Sequence, residues 1–346
     1  MKKIVALILA LVMITVVFSG CDEEVEITAT NTQIAYITNG GSILDLSYDQ
    51  AVYSGVIEYA RSNNITYGYY IPTENTDAAK SAAIDEAIQK EAAIIVCWGE
   101  AFNSVIQEKR SAYPDLKFII VDGDIENKDD NMAALSFRTQ DAGFIAGYVT
   151  VLDGFTSLGF VGETEDEATT LYGYGFIQGA EQAAQELGVE VEMKYAYGSA
   201  DYSGWYSSGT EVIFACGENI YTQAAAAAGA DHFVITSGLN RITTVGNALT
   251  CAVIEYKNAI YSALDKNYSD AWGDIAGQTI SYGAAEDCVS IPTDADLENF
   301  TYWRFRQVTR TDYADALLKL REGVYTVSGD AATAPATTYV TVDYNA

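Results

Sequence analysis

The chain is poor in positive charge. Nineteen Lys and Arg stand against 48 Asp and Glu, giving a formal net charge of −29. No basic cluster interrupts this acidity, so counterion release cannot drive nucleic-acid binding, and an anionic membrane surface would repel the chain. Histidine is nearly missing: the single residue, His232, lies in the strand-like run HFVIT and cannot build a histidine-based metal site. After Cys21 the cysteines are Cys97, Cys216, Cys251 and Cys288, whose wide spacing matches no zinc pattern and assigns no disulfide. Cys97 and Cys216 fall in apolar runs, where a small buried thiol is the ordinary reading. There is no glycine-rich phosphate loop with a lysine and no G-x-S-x-G, and no carboxylate pair stands out among so many acids. These absences assign no catalytic residue, metal or cofactor. Beyond Cys21 no stretch is apolar for 18 residues, the length a bilayer span needs.

What the chain does contain begins with a targeting segment. Lys2 and Lys3 precede an apolar run at 4–18, and Ser19-Gly20 precede Cys21. This is a secretory signal layout. FSGC resembles the bacterial lipobox, with Phe18 where that motif usually has Leu. The resemblance implies that residues 1–20 are removed and that Cys21 is lipidated, its acyl chains holding the protein to a membrane. Residues 21–32 read as an acidic tether. The remainder exceeds the usual size of one core and predicts two lobes.

Short apolar runs then alternate with helical patterns. Strands are expected at 33–37, 65–70, 93–98, 117–122, 157–161, 189–196, 211–216 and 232–236, and helices near 47–62, 76–90, 100–112, 138–152, 173–187 and 219–229. Such alternation predicts an α/β fold with helix-covered parallel sheets. The pattern breaks near 123–137, where DGDIENKDDN (122–131) is polar and reads as a loop at a lobe boundary. A helix near 252–266 and strands near 278–282 and 338–343 complete the pattern. The expected division is 33–137 plus about 250–276 for the first lobe, and 138–249 plus about 277–346 for the second.

Open α/β sheets bind ligands beyond the carboxyl ends of their strands. The loop GGSILDLSYDQAVYSG (40–55) follows the first strand and supplies Asp45, Ser47, Tyr48 and Asp49. Asp45 and Ser47 are also suited to cap the helix that begins there. Asp122 ends another expected strand. Trp98 ends a third and reads equally as core or cleft wall. Trp205-Tyr206 reads as a packed helical pair.

Several phrases together resemble the basic membrane protein family of substrate-binding lipoproteins, which includes the purine nucleoside receptor A proteins. They are GGSILDLSYDQ (40–50), NNITYGYY (63–70), IIVCWGEAF (94–102), YPDLKFIIVDG (113–123), AGFIAGY (142–148), LGFVGE (158–163), YGYGFIQGA (172–180) and EVIFACGENIY (211–221). The resemblance implies a type I periplasmic-binding-protein fold, with two Rossmann-like lobes joined by three hinge segments and closing on a small molecule. It also implies partners: a nucleoside-like ligand, and the permease and ATPase subunits of an ABC transporter.

Carried over by position, the family's D-x-S-F-N-Q resembles Asp45, Ser47, Tyr48, Asp49 and Gln50, so Tyr48 takes the stacking role and Asp49 replaces an amide. Gly99 and Phe102 match a glycine-aromatic turn, Asp122 matches an acid, and Gly217 follows a second-lobe strand. The last third departs. Where relatives carry V-I-G-V-D-x-D-Q and L-T-S-A-x-K, Gly238 and Asn240 stand at the acids and Ile254 at the lysine. Tyr202 is the expected replacement for a second stacking aromatic. These departures leave sugars and amines open as ligands, and a surface sensor without a transporter as the rival role.

Overall fold

The computed structural model describes residues 31–123, 125, 129–293 and 302–346. The signal segment, Cys21 and most of the tether lie outside the described residues. In chain order the first seven strands are β1 Ile34–Ile37, β2 Tyr67–Tyr70, β3 Ile94–Trp98, β4 Lys117–Val121, β5 Met132–Phe137, β6 Ser157–Gly162 and β7 Val191–Tyr197. The rest are β8 Val212–Cys216, β9 Phe233–Gly238, β10 Ala248–Ile254, β11 Thr279–Tyr282, β12 Val289–Ser290 and β13 Val340–Asp343. The α-helices are α1 Tyr48–Asn63, α2 Asp77–Gln89, α3 Asn103–Ala112, α4 Thr139–Leu152, α5 Glu167–Leu187, α6 Tyr202–Ser207, α7 Ile220–Ala228, α8 Tyr256–Tyr268 and α9 Arg310–Arg321.

Two sheets result. One has the order β11-β5-β4-β3-β1-β2 and is parallel throughout. The other has the order β12-β10-β9-β8-β6-β7-β13, and only the β10–β12 pair is antiparallel. Central strands such as Ile34–Ile37 and Val212–Cys216 are buried along their whole length. Helices on both faces of a parallel sheet produce that pattern.

Sheet membership corrects the expected division. The run 250–254 belongs to β10 in the second sheet, and 279–282 forms β11 at the edge of the first. The stretch read as a loop, 123–137, contains β5, because MAALSF is a short apolar strand behind an acidic lead-in. The helix expected near 252–266 starts at Tyr256. The chain thus passes between sheets after β5, after β10 and after β11, which makes three crossings. Two of them are tied together. Asp141 accepts from Arg138 Nε at 3.0 Å at the first crossing and from the Ala284 amide at 3.1 Å at the third. The Arg138 amide donates to the Tyr282 carbonyl at 2.8 Å.

Helices α4 and α5 touch backbone to backbone. Gly143 and Gly147 lie four residues apart on α4, and Gly175 and Gly179 lie four apart on α5. A β-carbon on Gly143 would stand 2.1 Å from the Tyr172 carbonyl oxygen, and one on Gly147 2.2 Å from that of Phe176. In return, Gly175 would meet the Gln140 carbonyl at 2.1 Å and Gly179 that of Phe144 at 1.9 Å. Small residues at this spacing form one stripe along a helix, which is what lets two backbones approach so closely. Among the described residues, no helix is long and apolar enough to cross a membrane.

Candidate functional site

The strand ends of both sheets face a common cleft, and aromatic rings gather there. Ser47 caps α1, its hydroxyl oxygen accepting from the Gln50 amide at 3.4 Å. The cap sets Tyr48 as the first residue of the helix, directed at the end of β3. Its ring lies parallel to that of Trp98, with centroids 4.7 Å apart and planes at 6°. Tyr256, where the chain re-enters the first lobe, meets Tyr48 edge-on at 5.6 Å. Phe137, at the first crossing, meets Tyr256 edge-on at 4.7 Å. Offset stacks and edge contacts of this kind favour rigid rings.

A carboxylate completes the floor. Asp122 follows β4 in the left-handed region at φ 50°, and the Trp98 indole donates to it at 3.2 Å. Asp122 is half-buried among protein atoms, and burial pushes its carboxyl up to about 6, against the pull of hydrogen bonds from Trp98 and the Tyr256 phenol. An acceptor fixed beside flat aromatic surface suits a ligand with a planar or sugar face and a donor group.

The second lobe contributes Tyr172, Gly238, Cys216 and the loops after β8 and β9. Tyr172 is buried with its hydroxyl on the Gly238 backbone, and burial raises its phenol well above the usual range. Burial, then the nearby Glu218 carboxylate, likewise raises Tyr48, while Arg241 pulls the other way. Tyr48 therefore spans the cleft between lobes. Arg241 pairs with Glu218 and lies over the Tyr221 ring, with 4.9 Å from guanidinium carbon to ring centroid.

The structure distributes the expected site residues unevenly. Tyr48, Asp122 and Gly238 come together. Gly99 turns the chain at φ 94° directly after Trp98, its amide donating to the Val121 carbonyl at 2.8 Å. Gly217 lets Glu163 approach, because a β-carbon there would stand 2.4 Å from the Glu163 carboxylate. Asp45 is exposed and accepts from the Ser47 amide at 3.1 Å, a capping turn.

Asp49 is turned inward. It accepts from the Tyr36 hydroxyl and from the Asn39 amide at 3.1 Å, and burial raises its carboxyl. Its oxygens serve the first lobe's own frame. Phe102 is fully buried in the core beneath α2 and α3, since the short turn Glu100–Phe102 folds its ring back under the sheet. Asn240 is exposed, with its side-chain oxygen accepting from the Ile242 amide at 3.1 Å. Tyr202 packs with Val161, Trp205, Tyr206 and Ile213 and makes no ring contact with Tyr48. The ring that stacks on Tyr48 comes from Trp98 of the same lobe. Ile254, expected at the family's lysine position, is buried in core.

Tyr256, Tyr172 and Arg241 were not legible as site residues. The two tyrosines reach the cleft only because a crossing and the α4–α5 contact bring them there. Arg241 carried a usable signal, as a rare cation on an acidic strand-end loop. Cys97, Cys216, Cys251 and Cys288 are free and buried. Among the described residues, no group of three or more His, Cys, Asp or Glu is placed to hold a metal ion.

Residues 32–312 match the family described as ABC transporter substrate-binding protein PnrA-like. Among relatives, the ABC transporter nucleoside-binding protein BmpA of Lactococcus lactis is 22% identical over 244 residues, 65% of this chain and 69% of that protein. The CD4+ T-cell-stimulating antigen of Listeria monocytogenes is 26% identical over 190 residues, 52% of this chain, and the match spans only 53% of that protein's length. Among solved structures, an ABC transporter solute-binding protein from Conexibacter woesei superimposes with a TM-score of 0.66 at 14% identity, covering 86% of this chain and 99% of that one. One from Aeropyrum pernix gives 0.62 at 17% identity, covering 86% and 94%. At such identities the likeness shows the fold, the two-lobed α/β type I periplasmic-binding-protein architecture.

Proposed function

Because the chain belongs to the family of PnrA-like substrate-binding proteins of ABC transporters, we propose that it is a lipid-anchored extracytoplasmic receptor for nucleosides or a related small polar ligand. It delivers that ligand to the permease and ATPase subunits and carries out no chemistry of its own. The observation that supports this reading is the floor of the cleft, where the Tyr48–Trp98 stack lies beside the Asp122 carboxylate. A purine or pyrimidine ring stacks on such a platform, and base or ribose donors reach Asp122. Closure of the lobes follows from a ligand that contacts both and so favours the closed state. Cys21 supplies the anchor, and the excess of acids keeps the protein soluble at the surface.

A thermal-shift screen against nucleosides, bases, sugars and amines tests the ligand class. A ligand at about 100 times its Kd adds roughly 2.7 kcal/mol of stability. Stabilisation by a nucleoside is the expected result, and the absence of a shift with every purine and pyrimidine nucleoside overturns that part of the reading. Cys21→Ala is expected to release the protein from membranes, and retention would remove the lipid anchor from the proposal.

A further inference from the structure

Arg241 is isolated in kind. Apart from Arg138, which is tied to Asp141, it is the only Lys or Arg among the described residues on the loops leaving the carboxyl ends of the parallel strands. Those loops carry Asp45, Glu74, Asp122, Glu163, Asp201 and Glu218, so a lone cation among them is conspicuous.

Its position is held from several sides. The Thr244 and Val245 amides donate to the Arg241 carbonyl at 3.0 and 2.9 Å, and the Arg241 amide donates to Cys251 Sγ at 3.3 Å. Arg304 donates to the carbonyls of Ile242, Val245 and Ala248 at 2.6, 3.1 and 2.8 Å, pinning the rest of the loop. Tyr221 lies under the guanidinium.

Its partner is more open to water, although the Tyr48 hydroxyl also hydrogen-bonds to it. The Arg241 side chain is 11% exposed and that of Glu218 is 48% exposed. One nitrogen, Nη2, donates to both Glu218 oxygens, while Nε is buried without a hydrogen-bond partner. A guanidinium meets a carboxylate best through two nitrogens at once, and a buried donor left unpaired is unfavourable. Glu218, half in water, is an occupant that can leave. Arg241 cannot leave, and its Nε–Nη2 edge is incompletely used.

We propose that Arg241 is the ligand-gripping cation of the second lobe, and that the ligand carries an acidic group, carboxylate or phosphate, which replaces Glu218 on the Nε–Nη2 edge. The proposal rests on the reading of this cleft as the ligand site. It assigns the ligand two ends: a ring or donor at Tyr48 and Asp122, and an anionic group at Arg241. The net charge of −29 opposes the approach of such a ligand. Screening confines that repulsion to about 8 Å at physiological salt, and the charge-assisted contact at Arg241 then decides affinity.

Matched compounds test this by calorimetry on the full-length protein in mild detergent: adenosine against adenosine 5′-monophosphate, galactose against galacturonate, and tyramine against tyrosine. At least one acid-bearing member should bind about tenfold or more tighter than its match, as expected for a hydrogen-bonded charge pair. The first pair reports phosphate and the other two carboxylate. Arg241→Gln should abolish the preference, Arg241→Lys should weaken it, and Glu218→Gln should strengthen it by removing the competitor. Adenosine binding without an acid preference overturns this inference and leaves the nucleoside receptor standing. Galacturonate or tyrosine binding through Arg241, with no nucleoside bound, does the reverse. No binding by any acid-bearing compound, or a preference that survives Arg241→Gln, also overturns it. If Arg241→Gln does not fold, Glu218→Gln decides, and unchanged or weaker acid binding then counts against the proposal.

Discussion

The hydroxyl of Tyr48 lies 2.4 Å from the point where a β-carbon on Gly238 would stand. The two residues belong to different lobes, and each is shaped for the other. Gly238 has φ 75°, a left-handed conformation that costs a non-glycine residue about 1–2 kcal/mol. Its missing side chain is the space that the phenol enters.

Gly238→Ala should therefore destabilise the closed arrangement and open the lobes, visible as a larger radius of gyration in small-angle scattering. In a Tyr48→Phe background the nearest obstacles are ring carbons at 3.2 Å, so the methyl fits with a small shift. We expect Gly238→Ala to cost about 1 kcal/mol more in the wild type than in that background, measured by urea unfolding in a double-mutant cycle. Equal costs in both would show that the two residues are not coupled.

Asp122 gives a pH signature. Its folded pKa of about 6 lies above the ordinary 3.8, so the folded state holds the proton more tightly than the unfolded chain. The stability this contributes is full below about pH 4 and is lost as pH rises through about 6. At 1.36 kcal/mol per unit, less a discount for partial solvent access, the loss is about 2–3 kcal/mol. Asp122→Asn mimics the protonated form and should lack this component. Urea denaturation at pH 4 to 7 should show the wild type falling relative to the variant across that window, and a constant difference would contradict the assignment.

The glycine stripes of α4 and α5 predict a sharp intolerance. Gly147→Ala places a methyl 2.2 Å from a backbone oxygen, which no rotamer relieves. Overpacking of this kind costs about 1–3 kcal/mol, and the rigid obstacle puts this variant near the upper end despite the better helix propensity of Ala. Gly273→Ala, with nothing within 4 Å of the added carbon, should stay within about 0.5 kcal/mol of wild type. Thermal melts of the two variants make the comparison.

Alternation of apolar runs with helical periods was enough to predict two helix-covered parallel sheets. It failed where a strand was short or preceded by acids, as at β5, and where a buried strand runs almost directly into a helix, as at β10 and α8. A continuous apolar run has no periodicity to separate strand from helix. The lobe assignment of 250–254 and 279–282 needed the order of strands within each sheet, which no local pattern encodes. In the site, Tyr48 and Asp122 were readable because strand ends mark the cleft. Trp98 as the stacking partner required knowing that β3 lies beside β1. Asp49 and Phe102 matched the right positions but turn inward, since the Tyr36 hydroxyl and the α2–α3 core claim them. Arg241 had only its rarity as a cation on an acidic strand-end loop to mark it.

The contact between α4 and α5 has a mechanical meaning. Tyr172 presents its ring to the cleft, while its own carbonyl is the atom against which Gly143 is pressed. Helix α4 begins immediately after the first crossing, where Asp141 is bonded to the third. With no side chain between the two backbones to absorb a displacement, the cleft wall and the hinge form a single geared piece. A displacement of Tyr172 meets the backbone of α4 directly, so the cleft wall and the helix that carries Asp141 are built to shift together.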